Sequence, residues 1–182
     1  MIDEEIALSV QQGNTEALAR LVERHHSRLV GYLYLMLGGN RLQAEDLTQE
    51  AFMKAILAIG SYTYPRPFKP WLYSIAVNLV HNYHNRAEGR YPTAGNDVLD
   101  GLPDEDDSVE EKVAKHREIE QMLTLLGRLP VLQREAVILR YVEGLSLAEL
   151  AEVLNVPVGT IKSRISVGLS RLRTLMQEND EL

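Results

Sequence analysis

GLSLAELAEVLNVPVGTIKSRI, residues 144–165, spells two short helices joined by a tight turn. Ser146 and Glu149 have the S-x-x-E spacing of a capping box, in which hydroxyl and carboxylate each accept a free amide N–H at a helix start. Leu147, Leu150, Ala151 and Leu154 then recur at helical spacing, predicting one apolar stripe with Glu149 and Glu152 toward water. Asn155 and Pro157 end that helix and begin the next. At about 100° per residue, Ile161, Ile165, Gly168, Leu172 and Met176 share one side of the second helix. Thr160, Ser163, Ser166, Val167 and Ser170 take the other, flanked by Lys162 and Arg164. Short polar groups with basic flanks near a helix N-terminus suit entry into a DNA major groove, where side chains meet base edges and amides meet phosphate. The plainer alternative, a helical hairpin that only packs, requires cap, turn, stripe and basic flanks to coincide by accident.

Composition sets the bounds. A chain of 182 residues, 45% hydrophobic, has material for one respectable core or two small ones. No apolar run is long enough for a membrane span. The start, MIDEEIALSV, carries acids where a secretory signal needs positive charge, so a cytoplasmic protein is expected. With no cysteine, disulfides and thiolate metal sites are excluded. The net charge of −7 is unevenly spread: residues 1–90 hold 9 Lys+Arg against 9 Asp+Glu, residues 91–120 hold 3 against 10, and residues 121–182 hold 7 against 7. Two neutral ends around an acidic joint lack the basic surplus of an independent DNA binder, so a partner must supply most of the affinity.

Helical patterns run over Glu4 to Gln12, Thr15 to Leu37, Leu42 to Ile59 and Pro70 to about Arg86, each break bearing Gly, Asn or Pro. Residues 60–70, GSYTYPRPFKP, form a loop with three prolines that gathers Tyr62, Tyr64, Arg66, Phe68 and Lys69. From about Glu88 to Asp107 the chain is rich in Gly, Pro, Asn and Asp without a period, and reads as a linker. Ser108-x-x-Glu111 is a second capping box opening a helix to about Arg128, and Pro130 to Tyr141 gives another. No strand pattern stands out, so the expected fold is all-α in two small helical domains.

Two further faces carry candidate chemistry. On the Pro70 to Arg86 helix, Leu72, Ile75, Ala76, Leu79 and Tyr83 fall on one side and Trp71, Ser74, Asn78, His81, Asn82 and Asn85 on the other. Amides that donate and accept, beside a loop of rings able to stack, fit opened single-stranded DNA; an ordinary solvated face is the alternative. AEDLTQEAF, residues 44–52, sets Asp46, Gln49 and Glu50 on one face, which by itself reads as solvated or as a dock for a basic partner. No metal or cofactor is expected: the carboxylates lack a histidine at ligand spacing, and His81 and His84 fall on different faces. No Gly-rich phosphate loop or G-x-S-x-G turn is present, so no enzyme is expected.

Four motifs in order, AEDLTQEAF, the aromatic loop, WLYSIAVN at 71–78 and the 144–165 pair, make the chain resemble a bacterial RNA polymerase sigma factor of the small extracytoplasmic-function group over almost its full length. The resemblance implies three parts. Residues 1–88 would be region two, which holds the polymerase clamp and melts the −10 element; residues 89–107 a linker; and residues 108–182 region four, which reads the −35 element. Asp46, Gln49 and Glu50 would dock on the core polymerase. Tyr62 and Asn78 would meet an extruded −10 base, with Tyr64, Arg66, Lys69, Trp71 and Asn82 completing that surface. Thr160, Lys162, Ser163, Arg164, Ser166 and Val167 would read the −35 element.

The family usually continues its reading helix with more arginines, whereas Val167 and Leu169 stand here, so Val167 is expected to touch a thymine methyl or tolerate several bases. The acidic linker would thread the polymerase's positive channel as a nucleic-acid mimic, or serve only as a tether. The resemblance also implies an anti-sigma partner. A stand-alone helix-turn-helix regulator, or a helical protein that sequesters another factor, remains the alternative from the residues alone.

Overall fold

Asparagine side chains start the first long helices. In the computed structural model, which describes residues 1–87 and 109–180, Asn14 Oδ1 accepts from Ala17 N at 3.1 Å and Asn40 Oδ1 from Gln43 N at 3.0 Å. Both cap orphan amides at the expected breaks. The helices are α1 (Asp3–Gln11), α2 (Thr15–Met36), α3 (Arg41–Ala58), α4 (Phe68–Ala87), α5 (Val109–Gly127), α6 (Val131–Tyr141), α7 (Leu147–Val153) and α8 (Val158–Asp180), with a 3-10 turn at Ile59–Ser61. Among the described residues there is no strand, and no helix is long and apolar enough to cross a membrane. The expected linker at 89–107 and the cap at Ser108 lie outside the described residues.

Helices α1 to α4 pack as one bundle around Leu29, Tyr32, Leu33, Met36, Leu72 and Tyr73. The rings of Tyr32 and Tyr73 meet at 5.3 Å. Helices α6, α7 and α8 pack around Ile138, Leu139, Leu150 and Ile161, with α5 against α8. The two groups share a continuous apolar core, because α7 lies on α4 and α6 on α2. The buried Arg134 guanidinium helps tie them, donating to the carbonyls of Met36 at 3.1 Å, Gly127 at 3.1 Å and Leu129 at 3.2 Å. These carbonyls offset the cost of burying the cation through its two terminal nitrogens, while its buried Nε finds no partner among the described residues.

The capping box at the head of α7 forms as expected: Ser146 Oγ accepts from Glu149 N at 3.2 Å, and Glu149 Oε2 from Ser146 N at 2.7 Å. Asn155 then takes φ 49°, the left-handed turn that swings the chain into α8. Gly168 sets how closely α8 rests on α6, since a Cβ there would lie 3.0 Å from Val137 Cγ2 and 3.4 Å from Gln133 Cβ. Replacing Gly168 by Val wedges these helices apart and is expected to cost about 1–3 kcal/mol in a urea melt; an unchanged midpoint would contradict this packing.

Candidate nucleic-acid interface

On α8, Ile161, Ile165 and Gly168 are buried on the side the sequence implies, whereas Met176 is exposed. Lys162, Ser163, Ser166, Val167 and Ser170 face solvent, with Thr160 and Arg164 half-buried. The candidate reading residues therefore occupy one open face on the N-terminal half of the helix.

The aromatic loop departs from expectation. Tyr62 is only 3% exposed. Its ring packs edge-on to Phe68 at 5.9 Å and Trp71 at 5.4 Å, and Phe68 meets Trp71 at 5.6 Å. The Tyr62 hydroxyl donates to the Arg66 carbonyl, and burial pushes this phenol up to about 12, keeping it a donor. From α1, Gln11 Nε2 reaches the carbonyls of Ile59 and Tyr62, each at 2.6 Å, and Glu4 Oε1 accepts from Phe68 N at 3.1 Å. That last bond helps hold the start of α4 at Phe68, two residues before the expected Pro70. Of the rings in this loop only Tyr64, 45% exposed, is offered to solvent.

Trp71 is buried rather than on the open side of α4, a correction to the face assignment. Asn78, Asn82 and Asn85 are exposed, and Ser74 and His81 half-buried. Tyr73, Val77 and Val80 are buried as well as the expected Leu72, Ala76 and Leu79, so the buried side of α4 is wider than the expected stripe and leaves open the strip of Asn78, Asn82 and Asn85. The cause is a second layer: α7 covers a side that a lone four-helix bundle would leave wet.

On α3, Asp46, Gln49 and Glu50 all face solvent, with Glu50 paired to Lys54 at 3.2 Å. Beside them the sequence reading missed Leu42, Met53, Ile56 and Leu57, all exposed, the last at 84%. One face of α3 therefore sets exposed apolar area beside carboxylates, unlike an ordinary solvated side. The signal was present: Met53, Ile56 and Leu57 follow Gln49 and Glu50 at helical spacing, but apolar residues on both sides of α3 blur its stripe.

Among the described residues, four pairs join the α4 region to the C-terminal helices. Lys69 Nζ lies 3.1 Å from Glu143 Oε2 and donates to the Glu143 carbonyl at 2.5 Å. Tyr73 Oη donates to the same Oε2 at 2.6 Å; burial first and this carboxylate second hold the phenol protonated. Arg66 meets Glu152 on the surface at 3.2 Å. His81 Nε2 faces both oxygens of Glu135, at 3.0 and 3.2 Å, and Glu135 is 0% exposed. Lys69 and Arg66, expected on the −10 surface, are therefore paired with acids 74 and 86 residues away.

Comparison with known proteins adds a family. The model described as Sigma-70 region 2 matches residues 21–90, and that described as Sigma-70, region 4 matches residues 119–172. The chain is 34% identical over 181 residues to the ECF RNA polymerase sigma factor SigW of Bacillus subtilis, covering 93% of this chain and 94% of that one. It is also 34% identical to the ECF RNA polymerase sigma-E factor of Haemophilus influenzae, across 91% and 90%. Among solved structures it is similar to CnrH in complex with the cytosolic domain of CnrY, with TM-score 0.76, 25% identity and 97% of both chains covered.

The His81 pair gives a pH signature. Its hydrogen bond to Glu135 raises the imidazole above its ordinary value against the opposing pull of burial; the Glu135 charge adds, and Arg164 of α8 opposes. His84, the other imidazole on α4 that bears on it, is lowered by burial and Arg134. A raised folded-state value means the pair's contribution is complete below the unfolded value near about 6.5 and is lost as pH rises through the folded one. The melting-temperature gap between wild type and His81→Gln is therefore expected to be widest in mildly acidic buffer and to narrow toward alkaline pH. A gap that widens with pH would contradict the pairing.

Proposed function

Because this chain belongs to the extracytoplasmic-function family of RNA polymerase sigma factors, we propose that its three open faces divide promoter recognition among them. As a sigma factor it binds core RNA polymerase, directs initiation at promoters bearing −35 and −10 elements, and promotes duplex opening. The observation that carries the residue-level reading is the coincidence of the two matched regions with three exposed faces of suitable chemistry.

Asp46, Gln49 and Glu50, with Met53, Ile56 and Leu57, dock on the core enzyme, the carboxylates steering and the apolar groups supplying buried area. Thr160, Lys162, Ser163, Arg164, Ser166 and Val167 read the −35 element from the major groove. Tyr64 stacks on a base of the opened −10 strand while Tyr62 and Trp71 form the packed floor beneath it; Arg66 and Lys69 hold phosphates, and Asn78 and Asn82 hydrogen-bond base edges. An extruded base loses a few kcal/mol of stacking, which a waiting ring partly restores. We assign residues 1–88 to the polymerase and −10 half, 89–107 to the linker and 108–182 to the −35 half.

This reading makes the protein a cytoplasmic factor that forms and breaks no covalent bond. An anti-sigma protein is a further partner, in keeping with the similar CnrH, solved with the cytosolic domain of CnrY.

Purified core polymerase with this protein is expected to yield discrete transcripts whose mapped starts share upstream −35 and −10 elements; core enzyme giving the same products without it would refute the reading. Glu50→Lys with Leu57→Ala is expected to weaken binding to core at least tenfold, about 1.4 kcal/mol, with an unchanged melt. Selection from a randomised −35 library is expected to show thymine or no preference opposite Val167, whose side chain cannot hydrogen-bond, and a strong guanine preference there would count against it.

A further inference from the structure

The stretch between α3 and α4 is short of backbone donors, because Pro65, Pro67 and Pro70 bring no N–H to residues 59–70. Helix α1 reaches in to hold it. Gln11, the last residue of α1, gives its Nε2 amide, which carries two hydrogens, to the carbonyls of Ile59 and Tyr62 at 2.6 Å each. At the far end of the loop Glu4 Oε1 accepts from Phe68 N at 3.1 Å. Helix α1 is itself fixed, since Ile6 and Ala7 are buried and Asp3 bonds Arg24 at 2.8 Å and His25 at 2.9 Å on α2. His25 in turn lays its ring 5.4 Å from that of Phe68. Between the two pins residues 63–67 are exposed, and they are drawn into an arc by Arg66 N on the Thr63 carbonyl at 2.9 Å and by the Tyr62 hydroxyl on the Arg66 carbonyl. The arc that presents Tyr64 therefore hangs from two points, both held by α1.

We propose that Gln11 and Glu4 are positioning residues for −10 recognition: α1 is a strap that sets the height and tilt of the 63–67 arc, and so decides which base the Tyr64 site accepts. The proposal rests on the −10 reading of that loop given above. Stacking alone is sequence-tolerant, because every base offers a π-face. Discrimination needs a ring and neighbouring groups held in one place, so that a base of the wrong shape or edge meets a site that does not yield. Neither Gln11 nor Glu4 touches DNA in this account; each acts through the loop backbone. Without the Gln11 amide the Ile59 carbonyl still accepts from Tyr62 N at 3.0 Å, whereas the Tyr62 carbonyl loses this donor and the near end of the arc comes free.

The test uses the full chain with core polymerase and Gln11→Met, which keeps the reach of the side chain and removes its donors. One mapped promoter supplies two barcoded template libraries, one randomised over the −10 element and one over the −35 element, and transcripts are counted by sequencing. Gln11→Met is expected to flatten base preference in the −10 library by at least about threefold and to leave the −35 library at its wild-type preference, a split that a general loss of folded protein does not produce. Trp71 is the chain's single tryptophan and lies against the Tyr62 ring, so acrylamide quenching of its fluorescence reads the loop directly and is expected to rise in the same variant. Glu4→Leu is expected to act likewise, and Glu4→Gln, which keeps an acceptor for Phe68 N, to restore the wild-type preference; this pair serves if Gln11→Met fails to fold. Unchanged −10 preference, equal flattening of both libraries, or wild-type quenching in a folded variant overturns the strap. Tyr64→Ala separates the two claims: wild-type −10 preference in that variant refutes the −10 reading of the loop, while preference lost in Tyr64→Ala and kept in Gln11→Met refutes only the strap.

Discussion

A helix apolar over most of its circumference must be covered over most of it, and α4 is that helix, with the strip of Asn78, Asn82 and Asn85 left open. Leu72, Tyr73, Ala76, Val77, Leu79 and Val80 are all buried, with α1, α2 and α3 packed on α4 from the N-terminal half. The C-terminal helices complete the cover, α7 on α4 and α6 on α2. Burial of a large aliphatic or aromatic side chain is worth roughly 1.5–3 kcal/mol, so each such group on the shared side favours keeping the halves together. Most of the remaining architecture, including the buried Arg134 and the acids around Glu143, follows from this shared wall.

The same wall shapes the electrostatics. A chain of net charge −7 has no surplus of cations to spend on DNA, and it commits Lys69, Arg66 and His81 to its own acids. What stays open is the face of α8 that starts at Lys162, the ring of Tyr64, the amides of Asn78 and Asn82, and the mixed acidic and apolar face of α3. A protein arranged this way relies on a larger partner for affinity and keeps for itself the choice of sequence. The proposed division among the three faces is consistent with that balance.

Local rules were legible wherever local chemistry decides. The S-x-x-E cap, the left-handed Asn155 and the asparagine starts of α2 and α3 each involve residues within a few positions of one another, and each formed as the residues imply. The open face of α8 was legible for the same reason, since periodicity assigns sides without knowledge of neighbours. The burial of Tyr62 and Trp71 was not, because it depends on Gln11 and Glu4 reaching across from α1. Nor were the pairs of Lys69 with Glu143 and His81 with Glu135, whose partners lie 74 and 54 residues apart and share no pattern. The apolar half of the α3 face was written in Met53 and Leu57 but hidden by Ala51, Phe52 and Ala55, which serve the core from the opposite side.

The contact of α7 with α4 is open to one direct measurement. The chain has no cysteine, so Ala148→Cys on the exposed side of α7 takes a single nitroxide spin label in the free protein. The account predicts strong paramagnetic broadening of amide resonances in residues 66–73 and along α4, as well as within the C-terminal helices. Broadening confined to residues 109–180 would contradict it, because the two halves would then not share the helix on which the whole arrangement rests.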